Sequence, residues 1–107
     1  MKLHYKNKKI EELVTDFVSL KKKYNEQVSD KVIQRLSEID AANHIMDLPP
    51  AARAHPHDPK SKEIFSIDIL KHKHPTRLLI KPYGEYDIGD YKTIKEVEIQ
   101  EIIKIHS

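Results

Sequence analysis

The chain has 107 residues, a common length for one domain, so we expect a single domain over residues 1–107. It has no cysteine, which excludes disulfides and cysteine-ligated zinc. The formal net charge is only +2, so charge alone neither requires nor excludes a nucleic-acid partner. The polar start MKLHYKNKK and the lack of a long apolar run predict no leader peptide and no membrane span, as expected of a cytoplasmic protein.

The first elements are predicted from two different apolar periods. Leu3 and Tyr5 alternate with polar residues, which predicts a short strand with one buried face. Asn7 can cap a helix that begins at Lys8 and runs to about residue 24. The apolar residues of that helix recur at steps of three and four, which places them on one face: Ile10, Leu13, Val14, Phe17, Leu20 and Tyr24.

A second helix follows almost at once, so the two helices should form an antiparallel hairpin. Asn25 or Ser29 can open it, and Ile33 is expected to widen its apolar face, which comprises Val28, Val32, Leu36 and Ile39. The Pro49–Pro50 pair lies beyond its end. The polar stretch from Arg53 to Lys62 is predicted to be a loop.

The second half of the chain changes to a period of two, which is typical of strands. Phe65, Ile67 and Ile69 alternate with polar residues, and the RLLIKP segment predicts a further strand that ends at Pro82. A polar connection leads to a last strand, in which Val97 and Ile99 alternate with polar residues. The order strand, helix, helix and three strands predicts an α+β fold, a helical hairpin packed on a small, mostly antiparallel sheet.

Several segments, taken in order, resemble a known family. These are KKIEELVTDFVSLKKKY, a Leu-Pro-Pro turn from Leu48, Arg53-Ala-His55, EIFSIDI, HPTRLLIKP and a closing EVEIQEI followed by His106. Together they are similar to HigB-like "plasmid maintenance killer" toxins of the RelE/ParE superfamily. The resemblance covers nearly the whole chain, and it implies a RelE-like fold with the element order β-α-α-β-β-β.

The resemblance also implies an activity and partners. Proteins of this family cleave ribosome-bound mRNA and are held inactive by an antitoxin, which is expected here to be a helix-turn-helix protein. Carried over by position, His55, Arg77 and His106 become the catalytic candidates. Lys62 and Arg53 become the candidates for binding RNA phosphate.

Those residue types suit RNA cleavage without a metal or another cofactor. The 2′-hydroxyl must lose a proton and the leaving 5′-oxygen must gain one, and a histidine titrates near the required pH. An arginine fork or a lysine can stabilise the charged phosphate. Each of these side chains has a plainer explanation as a solvated loop, strand-edge or chain-end residue.

The chain departs from the family pattern near the proposed chemistry. Lys104 and Ile105 stand where an acidic residue and a tyrosine are usual, and Glu63 replaces a glycine. These differences favour a second hypothesis from another class, a non-catalytic or gyrase-directed interaction protein that binds an antitoxin.

Three other patterns have both a functional and a structural interpretation. The His-x-His pairs at His55/His57 and His72/His74 can chelate zinc, but they lack further ligands at a recognised spacing, so no metal is expected. The lysines at 21–23, together with Lys6, Lys8 and Lys9, are either RNA contacts or ordinary solvated residues such as a helix end. The tyrosines of the polar connection either stack on bases or pack their loop: Tyr83, Tyr86 and Tyr91.

Overall fold

The computed structural model describes residues 1–58, 61–71 and 74–104, except for the side chains of Ser61 and Lys62. Three helices and five strands are defined within these ranges: β1 (Lys2–Tyr5), α1 (Lys8–Thr15), α2 (Phe17–Lys23), α3 (Glu26–Ala41), β2 (Ala54–Asp58), β3 (Ser61–Asp68), β4 (Thr76–Pro82) and β5 (Glu96–Lys104). The predicted α+β class is confirmed. None of the described helices is both long enough and apolar enough to cross a lipid bilayer.

The strands form one open sheet in the order β1-β5-β4-β3-β2. Strand β1 runs parallel to β5, and every other neighbouring pair is antiparallel, so the sheet is mostly antiparallel as predicted. The helices separate β1 from the other strands in sequence and provide the long crossover that a parallel pair requires.

Strand β2 is an addition to the predicted order. The prediction of a loop from Arg53 to Lys62 is wrong, because residues 54–58 form an edge strand and Ser61 already belongs to β3. An edge strand needs hydrogen bonds on one side only and buries little surface. Pro56 and the charged and imidazole side chains of this segment are therefore compatible with it, although they do not produce an alternating apolar pattern.

The predicted first helix is divided at Asp16. The Asn7 side chain caps α1 as expected, accepting a hydrogen bond from the Ile10 amide at 2.9 Å. The backbone of Asp16 is extended, and its carboxylate caps α2 by accepting from the Val18 amide at 3.1 Å. A hydrogen bond from the Ser19 hydroxyl, assisted by backbone amides, lowers the pKa of Asp16. Aspartate competes for local backbone donors in this way, which explains the interruption.

Helix α3 supplies the main apolar face that packs on the sheet. The Asn25 side chain caps it, accepting from the Val28 amide at 2.8 Å. The predicted face is confirmed, since its four members are buried: Val28, Val32, Leu36 and Ile39. Ile33 is 40% exposed, so its predicted place in that face is wrong. It lies one position beyond Val32, about 100° further round the helix.

The two faces of the sheet have different surroundings. The face that packs against the helices, called here the inner face, carries fully buried side chains: Phe65, Ile67, Leu78, Ile80, Val97 and Ile99. The opposite face, called here the outer face, carries the alternate residues of the same strands. Ser66, Asp68 and Arg77 lie on it and are half-buried, and Leu79 is buried. The outer face is therefore the place where polar strand residues of β3 and β4 are brought together.

Candidate functional site

Strand register places His55 and Arg77 on the same outer face. His55 pairs with Ser66, which in turn pairs with Leu79, and Arg77 lies two residues from Leu79 along β4. Ordinary strand spacing therefore separates the Cα atoms of His55 and Arg77 by roughly 12 Å. That distance is too long for a direct hydrogen bond between them, but one nucleotide lying across this face could contact both.

The Arg77 guanidinium is held in place by protein groups. Its Nε lies 2.9 Å from Oδ1 of Asp68, the residue directly opposite on β3. Its Nη1 donates to the carbonyl oxygen of His74. The side chains of Arg77 and Asp68 are only 15% and 17% exposed. This cross-strand ion pair fixes the guanidinium on the outer face and compensates part of its charge.

Strand β5 brings the far end of the described chain next to Arg77. Ile103 pairs with Arg77 and Lys104 pairs with Thr76. His106 lies outside the described residues, and so does Ile105, one of the departures from the family pattern. Another departure, Lys104, is exposed at the end of β5.

The two proposed phosphate-binding residues differ in what can be said of them. The backbone of Lys62 belongs to β3, but its side chain lies outside the described part of the structure. Arg53 is exposed and lines a cleft of about 340 Å³ with Phe65 and Tyr91. Phe65 belongs to the inner face, so this cleft and Arg77 lie on different sides of the sheet.

The tyrosines of the connection between β4 and β5 have protein partners. Tyr83 stacks on the His4 ring with 3.7 Å between ring centres. Tyr86 donates to the Glu63 carboxylate at 3.1 Å, and Tyr91 contacts Phe65 edge to face with 5.2 Å between ring centres. Burial and the bond to Glu63 raise the pKa of Tyr86. Packing therefore accounts for Tyr86 and Tyr91, while Tyr83 is still 43% exposed.

A polar cluster surrounds Tyr83 at the β1 edge of the sheet. His4 Nε2 lies 2.9 Å from Oε1 of Glu96, within hydrogen-bonding distance. The backbone turns next to this pair at Gly84, whose φ is +78°, and a Cβ there would lie 2.7 Å from the Glu96 carboxylate. Glycine at position 84 therefore allows both the left-handed turn and the close approach of Glu96.

A different cleft lies at the end of the sheet nearest Arg77. It has a volume of about 430 Å³, and Lys23, Tyr24, His74 and Lys104 contribute to its walls. Burial raises the pKa of Tyr24, and the nearby Glu101 charge adds to the effect. In the sequence, the only indication of this cleft is the run of lysines in α2. The opposite wall of the cleft comes from the ends of β4 and β5, which are far from α2 in the chain.

Metal binding was not expected, and the described residues contain no group of three or more histidine, aspartate or glutamate side chains able to hold a metal ion. His55 and His57 both lie on β2, where the register shifts between Pro56 and Asp58. Of the second His-x-His pair, His72 is outside the described residues.

No protein-family model matches the chain, and no curated protein is significantly similar to it. The fold class thus rests on the structure, and the likeness to HigB-type toxins rests on the ordered motifs of the sequence.

Proposed function

We propose that the protein is the toxin of a toxin–antitoxin pair and cleaves ribosome-bound mRNA on the outer face of its sheet. One observation carries the proposal: His55 and Arg77, which the motif resemblance selects from distant segments, lie on the same face of the sheet, on the two strands that flank β3. The end of β5, which leads towards His106, lies beside Arg77. A helix-turn-helix antitoxin is the proposed inhibitor.

The proposed reaction needs no metal. One histidine, His55 or His106, removes the proton of the 2′-hydroxyl, and the resulting oxygen attacks the adjacent phosphorus. The bond from phosphorus to the 5′-oxygen breaks, leaving a 2′,3′-cyclic phosphate, and the other histidine gives the 5′-oxygen a proton. Arg77, with Lys62 as a further candidate, stabilises the charge on the phosphate. Arg53 lies on the other side of the sheet and is not part of this site.

A second candidate function is a non-catalytic or gyrase-directed interaction protein that binds an antitoxin. The observation in its favour is the ion pair of Arg77 with Asp68, which gives the arginine a structural role. Lys104, where the family has an acidic residue, also supports this candidate.

The two functions are separated in a translation extract prepared with and without ribosomes. We expect the wild-type protein to cleave mRNA only when ribosomes are present. His55→Ala should reduce the cleavage rate about a hundredfold or more, since loss of a general acid or base has effects of this size. His55 is exposed, so its replacement should leave the fold intact.

His57→Ala is the matched control, because it removes another exposed histidine from the same strand. It should keep the wild-type cleavage rate. Intact mRNA in the presence of ribosomes and folded wild-type protein would exclude the nuclease. If the same wild-type protein inhibits DNA supercoiling by gyrase, the gyrase-directed alternative would then be supported.

A further inference from the structure

The cleft near the end of β5 has the dimensions and surroundings of a binding site. It lies between the α2–α3 junction and the adjoining ends of β4 and β5, and its volume of about 430 Å³ falls in the usual range for small-molecule sites. Lys23 and Lys104 reach it from opposite walls, and both are exposed. The described lining residues include no aspartate or glutamate, so the lining side chains carry net positive charge, although Glu101 lies close enough to affect Tyr24.

The nitrogen-bearing side chains of the cleft offer hydrogen-bond donors. The Asn25 side-chain oxygen already accepts from the Val28 amide, which leaves its NH₂ group for a ligand. His74 Nδ1 accepts from the Thr76 amide at 3.2 Å, so a neutral ring carries its proton on Nε2. With the ammonium groups of Lys23 and Lys104, these donors match an acceptor-rich anion such as phosphate.

The lining also has an apolar part, called here the floor of the cleft. Val28, Pro75 and Ile102 line it, and Tyr24 adds an aromatic ring 5.9 Å from Lys23 Nζ. A bare inorganic anion would gain nothing from this floor. An anion joined to a flat or apolar body, as phosphate is joined to ribose and base, would use both parts of the cleft.

The cleft also adjoins the outer face. His74 lines the cleft, and its carbonyl oxygen accepts a hydrogen bond from Arg77 Nη1. Thr76, on the cleft wall, precedes Arg77 in β4. A strand of RNA that crosses Arg77 could therefore pass round the end of the sheet into the cleft.

We propose that this cleft binds one nucleotide of single-stranded RNA, with the phosphate on Lys23 and Lys104 and the base or ribose on the apolar floor. The inference rests on the proposed function for the identity of that RNA as mRNA. The binding itself is separable from cleavage.

The test measures binding of a short, fluorescently labelled single-stranded RNA whose 2′-hydroxyls are methylated. Such an RNA cannot be cut through its 2′-oxygen, so anisotropy reports binding alone. The variant Lys23→Ala/Lys104→Ala should weaken binding about tenfold or more at about 0.1 M salt. It should also flatten the plot of log affinity against log salt by about 0.7, because the two lysines neutralise one phosphate and each neutralised phosphate of a single strand contributes about 0.7.

The control variant Lys92→Ala/Lys95→Ala removes two exposed lysines that do not line the cleft. It changes the net charge equally, and it should keep most of the affinity and the original salt slope. An equal loss of affinity in the two variants would refute the cleft as the RNA-binding site, because it would show that only the overall charge of the protein matters.

Adenosine monophosphate and inorganic phosphate are the competitor arms. If adenosine monophosphate displaces the RNA from the wild-type protein but not from the Lys23→Ala/Lys104→Ala variant, the result supports a binding site in the cleft. If either competitor binds the cleft while the RNA does not, the site takes a free anion and the RNA assignment is wrong. If the cleft binds RNA but the protein shows no ribosome-dependent cleavage, the proposed nuclease function is wrong, while RNA binding in the cleft is still supported.

Discussion

At the scale of single residues, Arg77 shows how a pattern can identify a side chain without its partner. The HPTR segment marks Arg77 as a candidate, whereas Asp68 occurs in the sequence only as a polar residue in an alternating strand. The register of β3 with β4 places the two residues opposite each other, and they form an ion pair with 2.9 Å between Arg77 Nε and Asp68 Oδ1. Because both side chains are mostly shielded from solvent, this pair should contribute more than a surface ion pair does.

A double-mutant cycle measures that contribution. Asp68→Ala, Arg77→Ala and the double variant should give a coupling free energy of about 1 to 2 kcal/mol in urea unfolding. The exposed pair Lys21–Glu26, separated by 3.8 Å, is the control and should give less than about 0.5 kcal/mol. A similarly small coupling for Asp68 and Arg77 would show that the arginine is not held for stability.

At the scale of elements, the helix caps follow closely from local sequence. Asn7 was expected at a helix start, and Asn25 was one of two candidates for the next start, with Ser29. Both asparagines accept the amide hydrogen bond of a cap. The interruption at Asp16 was missed, since its apolar neighbours continue the helical period across it. Periodicity reports which face is buried, and it is insensitive to a single extended residue that a side-chain cap stabilises.

Removal of the α3 cap should have a measurable cost. Asn25→Ala leaves the Val28 amide without its partner and should lower the free energy of unfolding by about 1 kcal/mol. Asn43→Ala, a change of the same chemistry at an exposed residue beyond the end of α3, is the control and should change it by less than about 0.5 kcal/mol. Equal effects in urea unfolding would argue against the cap.

At the scale of the whole molecule, a buried arginine joins the helical layer to the sheet. Arg35 of α3 has a side chain only 2% exposed. Its Nε donates to the carbonyl oxygen of Asp68 at 2.8 Å, and its Nη1 lies 2.6 Å from the Glu38 carboxylate. The same residue of β3 therefore binds Arg35 through its backbone and Arg77 through its side chain, which connects α3, β3 and β4.

Loss of Arg35 should be costly. Arg35→Ala leaves the Asp68 carbonyl and the Glu38 carboxylate without this partner and opens space in the interior, so we expect a loss of about 3 to 5 kcal/mol in unfolding free energy. Arg53→Ala, at an exposed arginine, should change it by no more than about 0.5 kcal/mol. A loss below about 1 kcal/mol for Arg35→Ala would show that the interior relaxes around the change.

The sequence by itself determined the features that depend on local periodicity and capping. These are the α+β class, the buried face of α3, the helix start at Asn7, and the strand that ends at Pro82. Only the tertiary structure decided the pairing of β1 with β5, the edge strand β2, the partner of Arg77, and the cleft walled by Lys23 and Lys104. These features depend on contacts between segments far apart in the chain, and a local pattern of apolar and polar residues does not specify which distant segment lies opposite.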